Sequence, residues 1–182
     1  SKDDVDIANL RLSVFSNFSL DQQSQFCARS CQAISARRRR GATCIVVTSA
    51  CQGSLEGSGA TTILGNAECS FHEFFGTRLG QRRRQNAIFY VTEVAVNPSV
   101  RRQGVGTKLL RALDALGEKR GAETLYLHVD VSNYAAIQLY EKNGYRKVIS
   151  DDPMFLEFTT SLNLHPGATQ GREHFLLYKN LR

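Results

Sequence analysis

Apolar and polar residues alternate in Leu10-Arg11-Leu12-Ser13-Val14-Phe15, the period of a half-buried strand, behind a charged opening, Ser1-Lys2-Asp3-Asp4, expected to be loose. From Leu20 to Ala36 the period becomes helical, with Asp21 near the start and the basic run Arg37 to Arg40 at the end, where cations suit the helix dipole. Thr43 to Thr48 reads as a strand, Gly53 to Gly59 as a flexible hairpin connection, and Ile63 to Phe71 as its antiparallel partner. In that partner Ile63, Ala67, Cys69 and Phe71 are apolar while Asn66, Glu68 and Ser70 are polar, which predicts one buried face; His72 ends the strand. A second basic cluster, Arg82-Arg83-Arg84, sits in the next turn, and Ile88 to Val96 is nearly all apolar, as a central strand should be. Gln103 to Arg120 is an amphipathic helix with Val105, Leu109, Leu113 and Leu116 on its inner face, ending near Gly121. A strand over Thr124 to Val129, a helix over Asn133 to Lys142 stopped by Gly144 and a strand over Tyr145 to Ile149 follow. Residues 150 to 171 look irregular, and Glu173 to Lys179 is a closing strand.

A length of 182 residues with 42% hydrophobic content suits one domain, here residues 9 to 182 behind a flexible segment 1 to 8. The net charge of +6 favours a polyanionic partner: nucleic acid, an anionic membrane surface, a multiply phosphorylated cofactor or an acidic peptide. Nucleic acid is the weaker reading, because the four-arginine run has no aromatic interleaving and a solvated helix end explains it. Five cysteines, Cys27, Cys31, Cys44, Cys51 and Cys69, form no C-x-x-C pair and have no His spacing that suggests zinc, so free thiols in a reducing setting and no metal are expected. No apolar run approaches the roughly 20 residues that span a bilayer, and no secretory signal opens the chain, although a presequence removed before Ser1 fits.

The most informative stretch runs from Glu93 through Val94-Ala95-Val96-Asn97-Pro98-Ser99-Val100-Arg101-Arg102-Gln103-Gly104-Val105 to Gly106, an apolar strand joined to a helix by Arg-x-x-Gly-x-Gly. The first amides of a helix have no intrahelical partner and carry partial positive charge, so glycines there let phosphate oxygens reach the backbone. Arg101 and Arg102 add charge that fits a diphosphate better than a carboxylate. Gly-x-Gly alone is equally compatible with an ordinary turn. A dinucleotide fold would want Gly-x-Gly-x-x-Gly and a later acidic residue, and a P-loop Gly-Lys-Ser/Thr; Thr107 and Lys108 stand in the reverse order.

With Leu125-Tyr126-Leu127-His128-Val129 and Ser132-Asn133-Tyr134-Ala135-Ala136-Ile137-Gln138-Leu139-Tyr140-Glu141-Lys142-Asn143-Gly144-Tyr145, the turn resembles the GCN5-related N-acetyltransferase (GNAT) family over residues 88 to 148. The resemblance implies an α+β (α/β) GNAT fold: a central mixed, mostly antiparallel sheet of about seven strands with helices on both faces. It implies acetyl-CoA as co-substrate, its pantetheine arm lying along Val94, Ala95 and Val96 where two central strands splay. Its pyrophosphate would sit on the turn of Arg101, Arg102, Gln103, Gly104, Val105, Gly106 and Thr107, with Asn133 and Ala136 on the far side.

Acetyl transfer from a thioester to an amine needs a neutral amine, relief of charge on the oxyanion and a proton for the thiolate. The resemblance implies His128 as base, with Tyr90 from the neighbouring strand, and Tyr140 as the phenol that protonates the thiolate. Glu93 is the rival base, although alternation puts it on the face opposite Tyr90. Backbone N–H groups of Val94 or Val96 are the oxyanion donors. The expected acceptor is a protein or peptide amine, an α-amino terminus or a lysine. A small-amine acetyltransferase, or a subunit docked in a larger protein complex with little turnover, is the alternative. The chain is similar to plastid members, which implies the plastid stroma (chloroplast), with a cytoplasmic location as alternative.

Overall fold

The computed structural model describes residues 2–14, 19–49, 62–73, 87–149 and 173–181. Helix α1 (Lys2–Val14) stands where the alternation predicts a strand at 10 to 15, and it takes up residues 2 to 8 of the segment predicted to be flexible. The reason is a stripe of Asp4, Ile7, Ala8 and Arg11, all buried and spaced i, i+3, i+4 and i+7. Two of its four members are charged, so a search for apolar periodicity passes over it.

Helix α2 (Leu20–Arg39) is opened by a capping box in which Gln22 N donates to Ser19 Oγ and Ser19 N donates to Gln22 Oε1. It runs on through Arg37, Arg38 and Arg39, and these are not simply a solvated end. Arg38 pairs with Asp4 at 2.7 Å, while Ser35 Oγ donates to the other oxygen of Asp4 at 3.1 Å, so the buried acid of α1 is neutralised by α2.

Strands β1 (Thr43–Thr48) and β2 (Ile63–Glu73) pair antiparallel, with Thr43 opposite Cys69 and Val47 opposite Gly65. The connection predicted at 53 to 59, the cluster Arg82 to Arg84 and the segment 150 to 171 lie outside the described residues, as does the side chain of His72. The single buried face predicted for β2 is corrected: Gly65 to Cys69 is buried throughout, Asn66 and Glu68 included. Glu68 tolerates burial because two guanidiniums neutralise it, as described below.

The remaining elements are β3 (Ala87–Val96), a 3-10 turn at Pro98–Val100, α3 (Val105–Lys119), β4 (Thr124–Asp130), α4 (Tyr134–Lys142), β5 (Arg146–Lys147) and β6 (His174–Asn180). Among the described residues six strands lie in one sheet in the order β1-β2-β3-β4-β6-β5, against about seven predicted for the whole chain. The β3–β4 pair is parallel, and β1–β2, β4–β6 and β5–β6 are antiparallel, which makes the sheet mixed and mostly antiparallel. None of the described helices is long and apolar enough to cross a membrane.

The chain divides into two compact units, one made of residues 1–71 and 92–116, the other of 72–91 and 117–182. In the first, α3 seats closely on β2 because position 65 is glycine. A Cβ there would lie 2.9 Å from Val105 Cγ1, 3.1 Å from Leu109 Cδ1 and 3.1 Å from the carbonyl oxygen of Ala95. Val105, Leu109 and Leu113 are buried as predicted; Leu110 joins them, while Leu116 is only half-buried.

In the second unit the register sorts side chains by face. Ile88 to Val91 pairs with Thr124 to Leu127, and β4 pairs with β6 from Thr124 opposite Asn180 to Asp130 opposite His174. Alternation therefore puts Phe89, Leu125, Leu127, Val129 and Leu177 on one face, all buried. Each contributes about 1.5–3 kcal/mol by leaving water. Gly117, near the end of α3, lies against this face: a Cβ there would come within 2.7 Å of Leu181 Cδ1 and 3.5 Å of Phe89 Cδ1. The opposite face carries Tyr90, Tyr126, His128, Asp130, His174 and Tyr178, an aromatic and titratable set, together with the buried Leu176.

Candidate active site

Past β3, Asn97 Oδ1 accepts from Ser99 N at 3.0 Å and from Ser99 Oγ at 2.9 Å, fixing the 3-10 turn. Arg101 to Gly104 then lead into α3 with two left-handed residues, Arg102 at φ 66° and Gly104 at φ 80°. Lys108 N donates the first bond of the helix, to Gly104 O at 3.0 Å. The N–H groups of Val105, Gly106 and Thr107 precede it and have no carbonyl one turn back, so they form a ready anion-binding start. The side chains of Arg101, Arg102 and Gln103 are exposed around it. A Cβ at Gly104 would meet no protein atom within 4 Å, so glycine is needed there for its φ, and the way to the backbone is clear. Gly104→Val puts a β-branched residue where the left-handed conformation costs about 1–2 kcal/mol. Acetyl-CoA affinity measured by calorimetry is expected to fall on the order of tenfold as the turn relaxes; unchanged affinity would count against the turn as a phosphate site.

On the aromatic and titratable face of the second unit, Tyr90 Oη and His128 Nδ1 are 2.9 Å apart, with the rings edge to face. The sequence reading paired these two residues from resemblance, and the structure brings them together by the parallel register of Tyr90 with Tyr126. Burial pushes the Tyr90 phenol up to about 12. Burial, aided by the neighbouring His174, brings the His128 imidazole down to about 4. Both groups are therefore uncharged at neutral pH. With the Nδ1 proton given to the phenol oxygen, Nε2 presents the lone pair that a general base needs.

Glu93 belongs to a different constellation, in the first unit. Arg11 donates to Glu68 at 2.8 Å and its other terminal nitrogen lies 2.7 Å from Glu93 Oε2. Arg37 binds both oxygens of Glu68 through Nε and Nη2 and lies 3.6 Å from Glu93 Oε2. Arg11 is fully buried and Glu68 nearly so, while the Glu93 side chain keeps 26% of its surface exposed. Burial pushes the Glu93 carboxyl up, against the pull of Arg11 and Arg37. Two guanidiniums thus share Oε2 of Glu93. Arg11, Arg37 and Glu68 were not singled out as a group by sequence reasoning; the stripe Asp4, Ile7, Ala8, Arg11 is the signal that could have found them.

Tyr140 is buried on α4 with its phenol pushed up to about 12 by burial, and it packs on Tyr145 with ring centroids 5.6 Å apart. Asn133 caps α4, its Oδ1 accepting from Ala136 N at 3.2 Å, so these two residues bond to each other at the helix start. Val94 and Val96 are half-buried and Ala95 is buried; the register of β3 with β4 ends at Val91 opposite Leu127, short of these three. Among the described residues, no group of three His, Cys, Asp or Glu could hold a metal ion, and Cys27, Cys31, Cys44 and Cys69 are free thiols.

Residues 22–145 match the model of the acetyltransferase (GNAT) family, and the chain belongs to that family. It is 36% identical over 67 residues to GCN5-related N-acetyltransferase 4, chloroplastic, of Arabidopsis thaliana, a match covering 37% of this chain and 23% of that one. It is 43% identical over 84 residues to the ribosomal protein bS18 alanine N-acetyltransferase of Escherichia coli K12, covering 46% of this chain and 49% of that one. The matches thus span half or less of these curated relatives. The crystal structure of the NatC complex bound to Gag peptide and CoA shares the fold, with a TM-score of 0.55 and 15% identity over 98% of this chain and 92% of that chain.

Proposed function

We propose that this chain is an acetyl-CoA-dependent N-acetyltransferase whose acceptor is a protein amine, the α-amino terminus before the lysine side chain. The observation that carries this reading is the uncharged Tyr90–His128 pair. A base held near 4 cannot draw a proton from a free ammonium group. It can take one from an amine that becomes acidic as its nitrogen bonds to the thioester carbon. The amine must then arrive neutral. An α-amine, with pKa about 7.7–8.0, is roughly one-third neutral at pH 7.5, whereas a lysine, near 10.4, is neutral to about one part in a thousand.

In this reading the acetyl carbonyl is attacked by the neutral amine, His128 Nε2 accepts the amine proton, and Tyr90 fixes the ring through Nδ1. Tyr140 supplies the proton that converts the departing thiolate to a thiol, and the N–H of Val94 or Val96 steadies the oxyanion. The diphosphate of acetyl-CoA fits the amides from Arg102 to Thr107, whose approach is clear at Gly104 and flanked by arginines. The protein acceptor is supported by the E. coli relative, named for a ribosomal protein, and by the NatC neighbour solved with a peptide and CoA. The plastid stroma is the proposed compartment, on the likeness to the chloroplastic Arabidopsis relative.

The test is product mapping by mass spectrometry with two peptide sets, one carrying a free α-amine and acylated lysines, the other a blocked terminus and free lysines. Acetylation of the first set well above the second is expected at pH 7.5. Product on lysines alone, or on small polyamines alone, would overturn the assignment of acceptor.

A further inference from the structure

We propose that His174 is a positioning residue of the same reaction, carrying the amine proton from His128 onward to solvent. The inference rests on the reading of His128 as base and deepens it.

Stoichiometry creates the need. A neutral amine and an acetyl thioester become an amide and a thiol: the N–C bond forms, the C–S bond breaks, one amine proton passes to His128 and Tyr140 gives one to the thiolate sulfur. Before the next turnover the His128 proton must reach water, and the Tyr140 phenolate must regain one from it. His128 is half-buried and tied to Tyr90 by its Nδ1, so its imidazolium needs a neighbour able to take a proton.

The register supplies one. His128 lies opposite Leu176 and Asp130 lies opposite His174, so His174 is the diagonal neighbour of His128 on the same face of the sheet. Such diagonal pairs have Cα atoms about 7–8 Å apart, within reach of two imidazole rings. An electrostatic influence of His174 on His128 agrees with that proximity. Among the described residues the other polar groups on this face include Tyr90 from β3, Thr124, Tyr126 and Asp130 from β4, Arg146 from β5, and Tyr178 and Asn180 from β6. Tyr90 is a poor proton carrier near neutrality, since its phenol sits at about 12. Asp130 Oδ1 already accepts from Ser132 N at 2.8 Å and Ser132 Oγ at 2.6 Å, holding the turn after β4. A histidine ring carries one N–H donor and one lone-pair acceptor, so it can take a proton on one nitrogen and release one from the other. His174 opens β6 and is half-buried. The sequence reading gave it no role.

The experiment compares the full-length chain with His174→Gln and His174→Ala, using the α-amine peptide at saturating acetyl-CoA and low buffer concentration. The expected result is a kcat lowered on the order of tenfold, less than the about 10²–10⁴-fold carried by a positioned base. The KM for acetyl-CoA should be unchanged. Adding imidazole or 4-methylimidazole should restore the rate in a saturable way, most fully in His174→Ala, where the ring has room. A kcat equal to wild type between pH 6 and 8 would overturn the proposal. So would a lowered kcat indifferent to added imidazole, because a side chain that merely packs is not replaced by a mobile proton carrier. Failure of the wild-type chain to acetylate any peptide would instead sink the acetyltransferase reading, and the relay with it.

Discussion

His128→Ala lowers kcat for the α-amine peptide by about 10²–10⁴-fold, the loss typical of a positioned general base, while calorimetry shows the same acetyl-CoA affinity as wild type. In the proposed reading affinity is untouched because the diphosphate would be held by backbone amides at the start of α3, and the imidazole would contribute only as the N–C bond forms. The pH profile gives a second check. Since burial keeps the His128 imidazole down to about 4, the base is already neutral throughout the physiological range. The acid limb of kcat/KM for the wild type should therefore follow the peptide's own amine, rising up to about pH 8 with no inflection near 6.5. An inflection near 6.5 that vanishes in the alanine variant would show a solvated imidazole and remove the argument for α-amines. Full activity in His128→Ala would take the residue out of the mechanism.

Glu68→Gln destabilises the fold by about 3–5 kcal/mol, the usual consequence of removing one partner from a buried ion pair. For a chain of this size that lowers Tm by roughly 6–20 °C. The residue that makes the loss large is Arg11, fully buried, which would be left with Glu93 as its counter-ion. The pH dependence has a definite sign. Burial pulls the Glu68 carboxyl up, but hydrogen bonds from Arg37 and Arg11 outweigh it and hold the group below its ordinary value. The unfolded chain thus takes up this proton first as pH falls. The stabilisation is present above the ordinary carboxylate range, about 4.3, and disappears as pH drops through the lower folded value. Calorimetric melts between pH 3 and 7 should show this acid-dependent fall in Tm for wild type and lack that part of it in Glu68→Gln. A Tm within 2 °C of wild type, on the scale of about 2–4 °C per kcal/mol, would mean that the ion network contributes little.

The parts of this molecule that were legible in its sequence are those in which one physical preference acts alone. Val105, Leu109 and Leu113 mark the buried face of α3 because they are apolar at helical spacing, and Gly121 and Gly144, both at positive φ, mark the ends of helices. The turn from Arg101 to Gly106 was readable because left-handed backbone and exposed amides call for glycine. The first helix was not, because Asp4 and Arg11 occupy core positions that become acceptable only once Arg38 and Glu68 arrive from elsewhere in the chain. For the same reason Glu68 reads as a solvent-facing strand residue when it is among the most deeply buried side chains. Pairing between charges distant in sequence leaves no periodic trace. The reactive histidine lay between these cases: its strand was evident, but its partner Tyr90 could be joined to it only through the family likeness, since a parallel register between β3 and β4 is a property of tertiary structure.

Because the strands β3, β4 and β6 show apolar side chains on one face and phenols and imidazoles on the other, the core and the chemistry obey a single two-residue rhythm. Inserting or deleting one residue in β4 would turn His128 to the face that carries Phe89 and Leu177 and send Leu127 or Val129 to the other. Activity and foldability in this unit would then fail together, so drift in strand length is barred while drift in the identity of the outward residues remains open. New acceptor preferences in such a scaffold have a ready route: exchanges at Tyr126, Asp130, His174 and Tyr178 that leave the frame intact.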